Sequence, residues 1–183
     1  MKTLLAFGLL VSLAVASRVA PHDSTPNLAA VAAVAMFAGW YFRSRVLAVA
    51  APLSAMLIAD AVLGGYEPLV MMSVYGSFIA PVFFGRWIGR RREASAAAVL
   101  GHAALGALAA STLFFITTNF AVWAGSDLYA RTIEGLAACY AAALPFFRFT
   151  VAGDLGFAVV LFGGCMAARA LLKTRRVPAG TAA

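Results

Sequence analysis

Six stretches of the chain carry no charged side chain: 3–17, 24–42, 46–59, 68–85, 94–126 and 155–168. About 20 consecutive apolar residues cross the hydrocarbon of a bilayer as a helix, and the backbone polar groups must then be satisfied within the segment. Allowing each run to extend slightly past its flanking charges gives six helices. Hydrophobic residues make up 63% of the chain and charged residues 11%, against about 25% charged in a soluble domain. A water-soluble fold of 183 residues has too little interior to hide that much apolar surface. The expected fold class is therefore an all-α membrane protein, a bundle of six transmembrane helices. Residues 1–176 form one domain, and 177–183 form a disordered cytoplasmic tail.

The third run continues through Asp60 to Gly64, where Gly64-Gly65 and then Pro68 supply a break. The fifth is too long for a single crossing, so a helix is assigned to 96–118, with Asn119 opening an outer connection. Within that connection the apolar segment 135–147 is about thirteen residues, a length that suits a short, partly buried or re-entrant helix.

The net charge of +7 would suggest nucleic acid in a soluble protein, but here the basic residues stand at the ends of the apolar runs. Assigned to alternate connections, Lys2, Arg43, Arg45, Arg86, Arg90, Arg91, Arg92, Arg169, Lys173, Arg175 and Arg176 fall on one side. Arg18, Arg131 and Arg148 fall on the other. Eleven against three makes the first side cytoplasmic by the positive-inside rule. Both termini then lie inside, in a multi-pass membrane protein with lipid, not nucleic acid, around it. A rival reading of the N-terminus is a secretory signal, since Lys2, an apolar core and Ala14-Val15-Ala16 fit one.

Polar residues gather on the expected outer side. Asp60, near the end of the third helix, is a lone carboxylate that must face water or the bundle interior. Asp154 follows Gly153 where the sixth helix is expected to begin, as a cap or as half of a pair with Arg148. The first outer connection holds His22 and Asp23 between Pro21 and Pro26, and then Asn27. His22 beside Asp23 is too small a set to make a metal shell. Asn119, Trp123 and Tyr140 complete the group, the aromatics with an alternative role as interfacial belt residues. Cys139 and Cys165 form neither a disulfide framework nor a CxxC motif. On the first helix Gly8, Ser12 and Ala16 recur every four residues, a face that lets another backbone approach, either within the bundle or on a partner. No GxSxG, HExxH or Walker loop occurs, so no catalytic residue, metal or cofactor is assigned. A membrane enzyme acting on a lipid or cofactor, or a structural assembly protein, stand as alternatives.

The pieces Thr118-Asn119-Phe120-Ala121-Val122-Trp123, Gly135-Leu136-Ala137-Ala138-Cys139-Tyr140, Leu144-Pro145-Phe146-Phe147-Arg148 and Gly153-Asp154-Leu155, with Pro21-His22, Pro26-Asn27 and Phe37-Ala38-Gly39, look like a family of uncharacterised bacterial membrane proteins. The layout is similar to that of the substrate-binding S components of energy-coupling factor vitamin transporters. That resemblance implies a lid-like first outer loop and an outward pocket for a vitamin-like precursor. Its wall would include Asp60, Asn119, Trp123, Tyr140, Arg148, Asp154, His22 and Asn27. It also implies docking of a transmembrane coupling subunit and its ATPases on Gly8, Ser12 and Ala16. The biotin-specific members carry a lysine shortly after their Gly-Asp, where this chain has Gly156 and Phe157, which speaks against biotin.

Overall fold

The computed structural model describes residues 1–20, 27–90 and 95–174. All regular structure among them is helical: α1 (Lys2–Val19), α2 (Val31–Tyr41), α3 (Arg45–Leu63), α4 (Pro68–Ser77), α5 (Ala80–Arg90), α6 (Ala96–Gly125), α7 (Ile133–Ala158) and α8 (Gly164–Thr174). A π-helical turn, Val159–Gly163, joins α7 to α8 without a break. Five helical stretches are long and apolar enough to cross a membrane: α1, α3, α4 with α5, α6, and the run from Ile133 to Leu172.

The remaining helix, α2, is the hub. At 11 residues it rises only about 17 Å, well short of a bilayer core. Within the apolar run 24–42 the helix is therefore shorter than expected: Asn27 takes a left-handed φ of 66° and the helix starts only at Val31. Every residue from Val31 to Gly39 is buried, as befits a helix apolar on all sides. Small residues permit this. A methyl group on Gly39 would run into the Val82 carbonyl, and one on Gly85 into the Met36 carbonyl, so α2 and α5 cross with their backbones in contact.

Local chemistry sets most boundaries. The hydroxyl of Ser44 caps α3 by accepting from the Leu47 N–H at 3.3 Å, and α3 ends at Gly64, whose φ of 92° suits glycine alone. Glu67 caps α4 through the Val70 N–H at 2.8 Å, with Pro68 in the first turn. The crossing then bends at Phe78 and Ile79, because Pro81 has no N–H to give Ser77 and its ring crowds that carbonyl.

Two expectations fail at the other end. Helix α6 runs past Thr118 to Gly125, so Asn119 is helical. The polar side chains there bond back to their own helix: Thr117 to the Leu113 carbonyl (2.8 Å), Thr118 to Phe114 (2.7 Å) and Asn119 to Phe115 (2.7 Å). They satisfy themselves and break nothing. The segment 135–147 is not a separate short helix but the first half of α7, capped by the Thr132 hydroxyl on the Gly135 N–H. The ring of Pro145 is carried inside α7 without ending it.

The basic residues do meet at one end. Phe7 of α1 touches Phe42 (ring centroids 6.2 Å apart), Arg169 of α8 lies 4.5 Å over the Trp40 ring, and Arg43, Arg86 and Arg90 share one cavity beside Trp40. The tail 177–183 lies outside the described residues.

Candidate functional site

At the opposite end from that cluster, the last turn of α1 brings Arg18 to Asp60 on α3, Nη2 to Oδ1 at 2.9 Å. The second carboxylate oxygen accepts from the Tyr75 hydroxyl of α4 at 2.8 Å. The side chains of Arg18 and Asp60 are 22% and 5% exposed, so both charges have left most of their water and depend on each other. Nearby, Ser17 accepts from the Ala30 N–H at 2.9 Å and fixes the entry to α2. Tyr66, in the turn before α4, has its phenol pushed above the ordinary range by burial and then by the Asp60 charge.

Deeper in the bundle the Ser111 hydroxyl donates to Asp154 Oδ2 at 2.6 Å, both side chains buried. Ser111 stands halfway along α6, so Asp154 lies at mid-height and not at a helix start. The continuity of α7 thus removes the expected capping role. It also removes the expected pairing with Arg148. Six residues along a helix is about 240° of rotation, and Arg148 points outward, exposed, 4.6 Å over the Phe149 ring. A Cβ placed on Gly153 would stand 3.3 Å from the Ala29 backbone, so this point of α7 packs closely on the chain entering α2.

Between these two polar clusters lies a cavity of about 40 Å3 whose wall includes Arg18, Asn27, Ser77, Thr150 and Asp154 on an apolar background of Phe78 and Phe114. Arg18 Nε is buried and without a partner. Ser77 continues the polar wall to Thr117 at 2.7 Å. A second cavity of about 100 Å3 shares Asn27, Phe114 and Thr150 and adds Thr118, Asn119 and Phe147. Such volumes hold a few waters, and even together they fall below the roughly 300–1,000 Å3 of ordinary ligand pockets. A vitamin-sized guest would have to part α6 from α7.

Of the residues expected to form a site, Asn27, Asn119 and Asp154 line these cavities, and Asp60 reaches them through Arg18. Three do not. Trp123 gives its indole N–H to the Ala130 carbonyl at 2.9 Å, and Arg131 lies 5.9 Å over its ring. Tyr140 gives its hydroxyl to the Ile116 carbonyl at 2.7 Å, beside a Cys139 thiol on the Asn119 carbonyl at 3.4 Å. Those two bonds clamp α7 to α6. Arg148 faces away, and His22 lies outside the described residues. Sequence reasoning missed Ser77, Ser111 and Thr150, and it did not connect Arg18 and Tyr75 with Asp60. Among the described residues no three His, Cys, Asp or Glu side chains lie together as a metal site would need.

On α1 the buried side is Leu10, Val11 and Ala14, while Gly8, Ser12 and Ala16 are exposed and nothing lies within 4 Å of a Cβ placed on Gly8. Among the described residues, the small-residue face therefore packs on nothing in this chain.

The class so defined is an all-helical bundle of membrane-type helices around a buried polar cluster. The chain belongs to DUF6580, a family of unknown function whose model matches residues 1–178. No curated protein and no solved structure matches it.

Proposed function

We propose that this chain is the substrate-binding or transport subunit of a system that takes up a small, vitamin-like cofactor precursor across the bacterial inner membrane. In this reading the bundle makes six crossings with α2 as the short one, both termini are cytoplasmic, and the cavities between α2, α6 and α7 open toward the outside. The observation that carries it is the Asp154 carboxylate, 4% exposed, held at mid-height on a cavity wall that Arg18 also lines.

An ionisable side chain in mid-membrane is costly enough to mark a function. Ser111 alone does little to compensate a carboxylate, whereas a ligand donor would. The unpartnered Arg18 Nε supplies the complementary group for a carbonyl or carboxylate. Phe78 and Phe114, packed on each other with ring centroids 5.4 Å apart, give an apolar surface between these poles. The outward Gly8, Ser12 and Ala16 face agrees with docking on a transmembrane coupling subunit that works with ATPases.

Thermal unfolding of the full chain in mild detergent, with a panel of vitamins and their precursors, tests the reading. A compound that binds only the native state at 100 times its Kd stabilises by about 2.7 kcal/mol. At least one compound should raise Tm by several degrees and saturate. In Asp154→Asn, which keeps the Ser111 bond, the same compound should bind at least tenfold more weakly while the unliganded Tm stays put. A complete panel without a shift, and no small molecule retained through purification, would overturn the assignment.

A further inference from the structure

The cavity at the basic end belongs to no part of that reading. It measures about 250 Å3, and its wall combines Arg43, Arg86 and Arg90 with Trp40 and Phe42. No carboxylate lines it among the described residues. Its shape follows from the α2–α5 crossing. Gly85 presses on the Met36 carbonyl, and a Cβ on Gly89, one turn on, would stand 3.4 Å from the Trp40 carbonyl oxygen. Arg86 and Arg90 each follow one of these glycines. They are therefore set along the flank of the contact, four residues apart, where like charges destabilise a helix. Arg43 joins them from the turn between α2 and α3.

Two features separate this cluster from ordinary charges that fix topology. A topogenic arginine extends its head into water, yet Arg86 Nη1 is buried and has no hydrogen-bond partner among the described residues. The neighbouring helix ends also do not neutralise the group: α2 and α5 both finish here, each worth roughly half a negative charge, against three guanidinium charges. What is missing is an anion with several acceptor oxygens, which guanidinium forks bind in paired hydrogen bonds. Trp40, with Arg169 4.5 Å over its ring, and Phe42 add apolar surface to the cavity wall.

We infer that this cavity binds a phosphate-type anion, with Arg86 as the buried anchor and Arg43 and Arg90 as the outer grips. The group arrives either as the headgroup of an anionic phospholipid or on a soluble phosphate-bearing molecule. The cavity's place at the basic boundary of the bundle suits both.

Full-length protein in dodecyl maltoside is titrated with phosphatidylglycerol in mixed micelles and, separately, with inorganic phosphate, against phosphatidylcholine and sodium chloride at matched ionic strength. A saturable rise of at least 3 °C in Tm is expected from one of the two anions and not from its control. Response to phosphatidylglycerol alone identifies the lipid source, and response to phosphate identifies the soluble one. Arg86→Gln should abolish the shift. Because that residue is partly buried, the surface double variant R43Q/R90Q provides the second arm and should weaken binding at least tenfold with an unchanged starting Tm. Absence of a shift from either anion, or a full shift surviving in both variants, overturns the inference. Neither result bears on the Asp154 cavity, since the panel used there contains its own compounds and its own variant.

Discussion

Asp60→Ala removes the partner of a guanidinium that is 22% exposed and the acceptor of the Tyr75 hydroxyl in one step. Leaving one member of a buried ion pair alone costs about 3–5 kcal/mol, and a hydrogen bond to a charged group contributes about 1.5–3 kcal/mol. The two overlap, because both stabilise the same carboxylate. Arg18 also keeps some water, so a loss of about 3 kcal/mol is expected, at the lower end of that range. For a chain of this length 1 kcal/mol moves Tm by about 2–4 °C, which sets the shift at about 6–12 °C. Arg18→Met should do at least as much harm, since the carboxylate it strands is only 5% exposed. The double variant R18M/D60L should recover to within about 1 kcal/mol of the parent, because a buried pair exchanged for apolar side chains of similar volume is close to neutral. The measurement is thermal unfolding of all four proteins in one detergent, read as a double-mutant cycle. Losses that simply add, with the double variant the least stable, would show that Arg18 and Asp60 act separately and would refute the reasoning.

The helix crossing and the outer face of α1 make two further tests. Gly39→Ala and Gly85→Ala each force a methyl into a backbone carbonyl; overpacking costs about 1–3 kcal/mol where side chains can yield, and here neither backbone can, so each variant should lose more than 3 kcal/mol in chemical or thermal unfolding. Gly8→Leu meets nothing within 4 Å of its new Cβ and should leave Tm within about 2 °C, while abolishing co-purification of any coupling subunit that uses this face.

The sequence was most readable where the signal is local. The end of α3 at Gly64, the break before α4 at Pro68, and the gathering of Arg43, Arg86 and Arg169 at one end follow from single residues or from alternation of charge. Helix length was misread from Asn119 onward, because a run too long for one crossing was cut at its polar residues. A helix absorbs such residues when each side chain returns a bond to the carbonyl four residues back. The site was less legible for a different reason. Arg18 meets Asp60 across 42 positions, and Ser111 meets Asp154 across 43. No spacing rule reaches that far, and Ser111 inside an apolar run looks like any helix-packing serine. Arg148 was the nearer cation to Asp154 in sequence, but the helical rotation between them turns it away.

Glycine at positions 39 and 85 is a requirement of the α2–α5 contact that no repacking can relax. Neighbouring side chains drift by compensating one another's volume, but a main-chain carbonyl is present whatever the sequence. Relatives that share this bundle should therefore vary widely in their apolar residues and still hold glycine at both places, one on each side of a single contact. Those two positions form a fingerprint by which distant members can be found when hydropathy alone would select any Ala-rich membrane protein.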